Sequence, residues 1–443
     1  MIRIDNALIW TGERLEALSL LLEGEKITGL VEPRLSIELP ADQVVDAQDC
    51  WVLPGGVDLH VHVSDGAETF FPGSCCAAAG GITTVFDMAP FHACVTASQF
   101  KAKVKQAERE MVTDFGLVAG IVINEEDLEN LEELARLGAA YFKVFMPSDP
   151  PVSARTLWKA AQTAAHTGLR MGLHAEETAC LESIYDWNNP LAFPHSRPAV
   201  VESCAVAQLL EMARAAGAPV HICHVSAGRT TELIADAIAH GVDVTAETAA
   251  HYLVLDETAF AEQGPRVKTT PPLRTQLDNQ ALWQALAEGV IDAIASDHYT
   301  ENLQPAPRDP ALIEKAAAGI AGLELSLPLI FSYGVQAGRI SLQRFVQAVS
   351  LKPAQIANVD DRKGRITPGY DADLTLWDPL GEWSVGAETT KSQGIFSRVE
   401  ATPYVGWELR GRIRQTWLRG QCVWDGQNIQ AQPGQGQWIA SRS

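Results

Sequence analysis

Over the first fifty or so positions, short apolar runs at 17–22, 26–31 and 43–46 alternate with turns and carry little helical periodicity. That pattern predicts a small β unit. From Gly55 to about Asn358 short β-rich runs are each followed by an amphipathic, Ala-rich stretch, the alternation expected of parallel βα units. Eight strands are expected, at 57–63, 82–88, 114–123, 140–146, 170–175, 219–225, 243–247 and 291–296. Eight is the number that closes a TIM-like (β/α)8 barrel. After Pro353 the texture returns to β, most clearly at 371–378 and 412–424, so the two chain ends are expected to pair into one small β-sandwich beside the barrel. The expected division is 1–53 and 362–443 for the sandwich and 54–361 for the barrel. The Gln/Gly-rich tail, 427–437, is expected to be frayed or loosely packed.

Composition removes several function classes. Asp and Glu number 55 against 34 Lys and Arg, a net charge of -21, so phosphate backbones and anionic lipid surfaces are repelled. Neither nucleic acid nor a membrane is an expected partner. No apolar run reaches the roughly 18 residues that span a bilayer, and Met1-Ile2-Arg3-Ile4-Asp5 does not open a secretory signal. The eight cysteines include no Cys-x-x-Cys pair and sit mostly in apolar runs, which predicts buried free thiols and a reducing cytoplasm.

The chemistry gathers at predicted strand ends. In Asp58-Leu59-His60-Val61-His62, residues two apart share a face, so Asp58, His60 and His62 are expected to point into the barrel. Lys143 interrupts the apolar run 139–146, and lysine is rarely buried without a partner. A desolvated amine is a nucleophile and can take up carbon dioxide to give a carbamate, an anionic oxygen pair able to bridge two cations. His174, His224 and Asp297 close three later runs. Four histidines, a lysine and an aspartate at C-terminal strand ends lie where barrel active sites lie. Nitrogen and oxygen ligands of this kind suit zinc, manganese, iron or cobalt. Bound water then has a pKa lowered from about 15.7 to near 7. Asp297 is the expected proton carrier beside it. By strand parity His221 faces away from His224 and packs; His92, His251 and His298 are candidates for substrate contact; His166, His195 and His240 read as surface residues. Phe70, Phe71, Phe91, Met146 and Pro147 are candidates for an apolar wall.

These stretches, with 77–84, Leu173-His174-Ala175-Glu176, Ser196-Arg197-Pro198, His224-Val225-Ser226, 247–253, Pro271-Pro272-Leu273-Arg274, Ser296-Asp297-His298 and 369–374, resemble the cyclic amidohydrolase branch of the amidohydrolase superfamily, the dihydroorotases, allantoinases and hydantoinases or dihydropyrimidinases. The resemblance implies two divalent ions, zinc first among the choices. His60 and His62 would hold one, and His174 and His224 the other. N6-carboxylated Lys143 would bridge them, while Asp297 completes the first shell and acts as base. It also implies a small cyclic amide as substrate, opened by a hydroxide bridging the metals, and a homo-oligomer, dimer or tetramer. Ser64, Thr270 and His298 are the expected substrate contacts. Dihydroorotases carry an arginine where this chain has Ser64, and the allantoinase Asn-Glu-Pro-Gly stretch is here Ser64-Asp65-Gly66-Ala67. Residues 402–411 are similar to the allantoinase C-terminal segment. The expected substrate is therefore allantoin- or hydantoin-like. A dihydroorotase- or dihydropyrimidinase-type hydrolase, or a non-catalytic scaffold of the same fold, is the alternative.

Overall fold

The computed structural model describes residues 1–66, 68–88, 93–300, 312–386 and 402–442. Five strands open the chain: β1 (Ile2–Trp10), β2 (Leu15–Glu23), β3 (Lys26–Val31), β4 (Gln43–Asp46) and β5 (Trp51–Pro54). The first three form an antiparallel meander, and β4 and β5 run parallel to β1.

The barrel follows, with β6 (Gly56–Val61), β7 (Ile82–Asp87), β8 (Asp114–Leu117), β9 (Ala119–Val122), β10 (Phe142–Phe145), β11 (Met171–His174), β12 (Val220–Ile222), β13 (Val244–Ala249) and β14 (Ala293–Ala295). All eight expected strands are present. The run 114–123 is split at Val118: its first half pairs with β7 and its second with β10. The circle closes where Asp297 N–H donates to the His60 carbonyl and His62 N–H to the His298 carbonyl, both at 3.0 Å. Two predicted ligand-bearing segments are thus stitched together by their own backbones. Helices cover the outside, so the barrel strands are buried on both faces and read as near-continuous apolar runs.

The sandwich is completed by β15 (Leu374–Ser384), β16 (Glu408–Leu418) and β17 (Gln421–Trp424), with β15 antiparallel to β5. Ile4, Ile9, Leu20, Leu22, Val52, Leu374 and Trp417 form its own apolar core.

Two expectations fail here. The tail is not frayed: Phe115 N–H donates to the Gln437 carbonyl, Ile439 N–H to that of Phe115, and the Trp438 ring lies against Phe100 and Phe115 at 5.6 and 5.7 Å. The glycines that made this stretch look loose permit close approach, since a Cβ on Gly436 would fall 1.9 Å from the Thr113 carbonyl oxygen. Nor are the thiols uniformly buried. Cys75, Cys76, Cys94 and Cys223 are, but Cys204 is exposed and Cys50, Cys180 and Cys422 are half-buried.

Barrel and sandwich share a buried ionic knot. Lys363, 1% exposed, pairs with Asp114 at the foot of β8 and with Asp371 and Asp373 at 3.0 and 2.6 Å, while Arg419 also reaches Asp114. Lys363→Met is expected to cost about 3–5 kcal/mol in urea denaturation, because three carboxylates would be left buried around an apolar side chain. Burial works to raise Asp371, but Lys363, Arg362 and Lys26 overcome it and hold the carboxyl at about 2. Its contribution is therefore complete above the unfolded value of 3.8 and is lost as the pH falls toward 2. Asp371→Asn should flatten the acid limb of the stability profile in that window.

Candidate metal centre

The C-terminal ends of the barrel strands bring the six predicted ligands together. His60 lies in β6 and His62 one residue beyond it, Lys143 in β10, His174 at the end of β11, and His224 and Asp297 two residues past β12 and β14. The imidazoles form a chain: ring centroids are 5.3 Å apart for His62 and His60, 5.2 Å for His60 and His224, and 4.6 Å for His224 and His174. Asp297 Oδ1 lies 3.4 Å from His60 Nε2 and 3.3 Å from His62 Nε2, a spacing of three ligand atoms that could hold one ion. His224 and Asp297 both have positive φ, 38° and 47°. Such backbone costs about 1–3 kcal/mol in a non-glycine residue and here turns each side chain inward just past its strand.

The donors suit cations. Among the described residues, Nδ1 of His62 and Nδ1 of His224 are buried without a hydrogen-bond partner, and no oxygen or nitrogen lies within hydrogen-bonding geometry of Lys143 Nζ. Burial, reinforced by the Lys143 charge, lowers His60 to about 4 and His224 well below the usual imidazole range. Burial also lowers His174, although Glu176 pulls the other way. His60, His174 and His224 are thus neutral with lone pairs available, the form a metal requires. Asp297 would be raised by burial, but His60, His62 and His224 overcome this and keep it ionised.

Carboxylates aim the rings. His60 Nδ1–H donates to Glu247 Oε1 at 2.6 Å, leaving Nε2 toward Asp297. His174 Nε2–H donates to Glu176 Oε2 at 2.9 Å, which frees Nδ1. Ligating histidines are characteristically fixed this way. Glu176 in turn accepts from Arg197 at 2.8 Å, and Glu247 lies 3.1 Å from His221 Nε2. Sequence reasoning did not assign Glu176 or Glu247 a role. The available signal was a carboxylate within a fully buried run, since both are 0% exposed. The parity reading of His221 also fails, because it assumed an unbroken strand. β12 ends at Ile222 and the backbone turns at His224, so His221 faces Glu247 beneath His60.

Other predicted positions are placed as follows. Asp58 accepts N–H bonds from His60 and Ser296, bracing β6 against β14 instead of joining the ligands. Ser64 Oγ–H donates to Asp87 at 2.7 Å and accepts from Lys103 at 2.9 Å. His298 Nε2–H donates to Glu68 at 2.9 Å, while Nδ1 accepts from Gly322 and Leu323 N–H, so both ring nitrogens are engaged within the protein. Thr270 is half-buried. His251 is buried against Tyr252, its Nε2 without a hydrogen-bond partner among the described residues, and burial lowers it to about 4. Phe70 and Met146 are buried core residues, Pro147 is half-buried and Phe71 is exposed. Phe91 and His92 lie outside the described residues. His166, His195 and His240 are exposed, as expected.

Candidate ligands at the strand ends of a closed barrel beside a sandwich built from both termini define a class, and residues 51–423 match the model of the amidohydrolase family. The chain belongs to that family, whose members are metal-dependent. It is 32% identical over 432 residues to a dihydroorotase of Pediococcus pentosaceus, covering 95% of this chain and 98% of that one. An allantoinase of Rubrobacter xylanophilus is 33% identical, with 90% and 89% covered, and a D-hydantoinase of Ralstonia pickettii 31% identical, with 91% of each. Among solved structures, the L-hydantoinase (dihydropyrimidinase) of Arthrobacter aurescens superposes with a TM-score of 0.90 at 29% identity over 99% of both chains. The dihydropyrimidinase of Brevibacillus agri gives 0.89 at 27% identity, over 99% of this chain and 98% of that one. Among the described residues no helix is long and apolar enough to cross a membrane.

Proposed function

We propose that the protein hydrolyses the endocyclic amide C–N bond of a small cyclic ureide or imide, allantoin- or hydantoin-like, with two divalent ions, zinc by preference. The observation that carries this is the convergence of four imidazoles, an ionised Asp297 and the buried Lys143 amine at one barrel mouth. His60, His62 and Asp297 would hold one ion and His174 and His224 the other. Bound there, such ions supply Lewis acidity toward a carbonyl oxygen and lower the pKa of coordinated water.

The Lys143 charge acts on His60, His174 and His224 alike, and as an ammonium it would repel cations from all three. Carboxylation of its amine reverses that sign and supplies a bridging oxygen pair. Asp297, ionised and beside two imidazoles, is placed to take the proton of the attacking water and deliver it to the leaving ring nitrogen. Glu247 and Glu176 hold His60 and His174 in the required tautomers. Ser64, with its hydroxyl tied to Asp87 and Lys103, shapes the loop after His62 and offers no counter-charge to a substrate carboxylate. This favours uncharged rings over dihydroorotate. Thr270 is a candidate ring contact, and His298 supports the exit of β14. Likeness to cyclic amidohydrolases supports a cytoplasmic homo-oligomer, dimer or tetramer.

Metal-loaded protein assayed against hydantoin, 5-substituted hydantoins, allantoin, dihydrouracil, cyclic imides and dihydroorotate should open at least one uncharged ring. Chelation should abolish turnover and zinc restore it. Failure to open any ring amide would sink the proposal.

A further inference from the structure

The motifs Ser196-Arg197-Pro198, His224-Val225-Ser226 and Pro271-Pro272-Leu273-Arg274 contribute few of the candidate ligands, yet the structure joins them into one chain of contacts, buried except at the half-buried Arg197. It starts at His174 Nε2–H, which donates to Glu176 Oε2 at 2.9 Å. The same oxygen accepts from Arg197 NH1 at 2.8 Å, and the Arg197 carbonyl accepts from Arg274 NH1. Arg274 Nε then donates to Ser226 Oγ at 3.1 Å, and Ser226 Oγ–H donates to Glu202. Glu202, in the helix Ala199–Ala216, also accepts Ser226 N–H and Ala227 N–H at 3.1 Å each. Ser226 is two residues beyond His224, at the point where positive φ has just turned the backbone.

We propose that Glu176, Arg197, Arg274, Ser226 and Glu202 act as one clamp that sets the aim of His174 and His224 together, independently of the support given to His60 and His62. This rests on the assignment of those two pairs to separate ions under the proposed function. The two supports are chemically different. The carboxylates of the clamp, Glu176 and Glu202, are matched by Arg197 and Arg274, so it brings no net charge to its histidines. Glu247, which supports His60, has only histidines as ionic partners among the described residues. An anion without a matching guanidinium makes its imidazole a stronger donor and favours a nearby cation. The His60/His62 position is therefore the tighter of the two, and the clamp governs the weaker one. These are positioning residues, since none is placed against substrate.

The test is zinc titration of metal-free protein, read by calorimetry and elemental analysis, with thermal melts as a check on folding. The parent should bind two equivalents of unequal affinity. Arg274→Met should leave the tighter equivalent unchanged and weaken the other by about 10–100-fold. Ser226→Ala, a smaller deletion suited to the case where Arg274→Met does not fold, should weaken the same equivalent less. Combination identifies the position: Arg274→Met added to His174→Ala should change nothing further, and added to His60→Ala it should weaken the remaining equivalent by the same about 10–100-fold. A parent that binds fewer than two equivalents overturns the binuclear reading and the clamp with it. A parent that binds two, with variants that weaken both equally or neither, overturns the clamp alone.

Discussion

Asp297→Asn is expected to lower kcat about 10³-fold, within the 10²–10⁴ range of general acid–base catalysis, while the protein still folds and binds metal. Asparagine keeps the size of the side chain and one ligating oxygen, and it tolerates positive φ well, so the 47° backbone at this position is not a new source of strain. What it loses is the ability to take a proton. Burial disfavours a charge at this site, yet His60, His62 and His224 hold the carboxylate ionised, so the acceptor is ready before any substrate arrives. Steady-state kinetics with elemental analysis decides the matter. Turnover within tenfold of the parent would remove Asp297 from the proton path.

Lys143→Ala should reduce bound metal to less than half of the parent value and turnover by at least about 10³-fold, because the bridging oxygens and the charge reversal are lost together. Lys143 is 2% exposed, and among the described residues its Nζ has no well-formed hydrogen bond. Leaving a buried polar group unsatisfied costs about 1–3 kcal/mol, so the alanine variant should be no less thermally stable than the metal-free parent. A complementary measurement uses the unmutated protein. Metal-free protein in carbon dioxide-free buffer should take up zinc poorly, and added bicarbonate should restore uptake. Equal uptake in both buffers would exclude a carbamate as bridge, and full metal content in the alanine variant would exclude the lysine altogether.

The barrel was legible because strands buried on both faces are written as apolar runs, and helices between them as periodic ones. The candidate ligands stood out for the converse reason: His60, Lys143, His174 and His224 interrupt such runs with groups that ordinarily avoid burial. The supporting shell was harder to read. Glu247 reaches His60 across 187 residues, and Ser64 reaches Asp87 and Lys103 from separate elements, so neither pairing leaves a local trace. The error at His221 came from applying strand parity through a point where the backbone turns. The error in the tail came from taking glycine as a sign of freedom, when at Gly436 it permits close packing.

A sheet assembled from both termini also imposes a timetable. Thr375 donates its hydroxyl to the Leu53 carbonyl 322 residues earlier, and β15 pairs along the whole of β5. At about 5–20 residues per second of synthesis, the edge of β5 must wait roughly 15–65 seconds for its neighbour to leave the ribosome. Throughout that interval Val52 and Leu53 lie on a strand paired only on its β1 side, its other edge open to association with other chains. Recovery of active protein should therefore depend on growth temperature and chaperone supply more steeply than the stability of the finished molecule would imply.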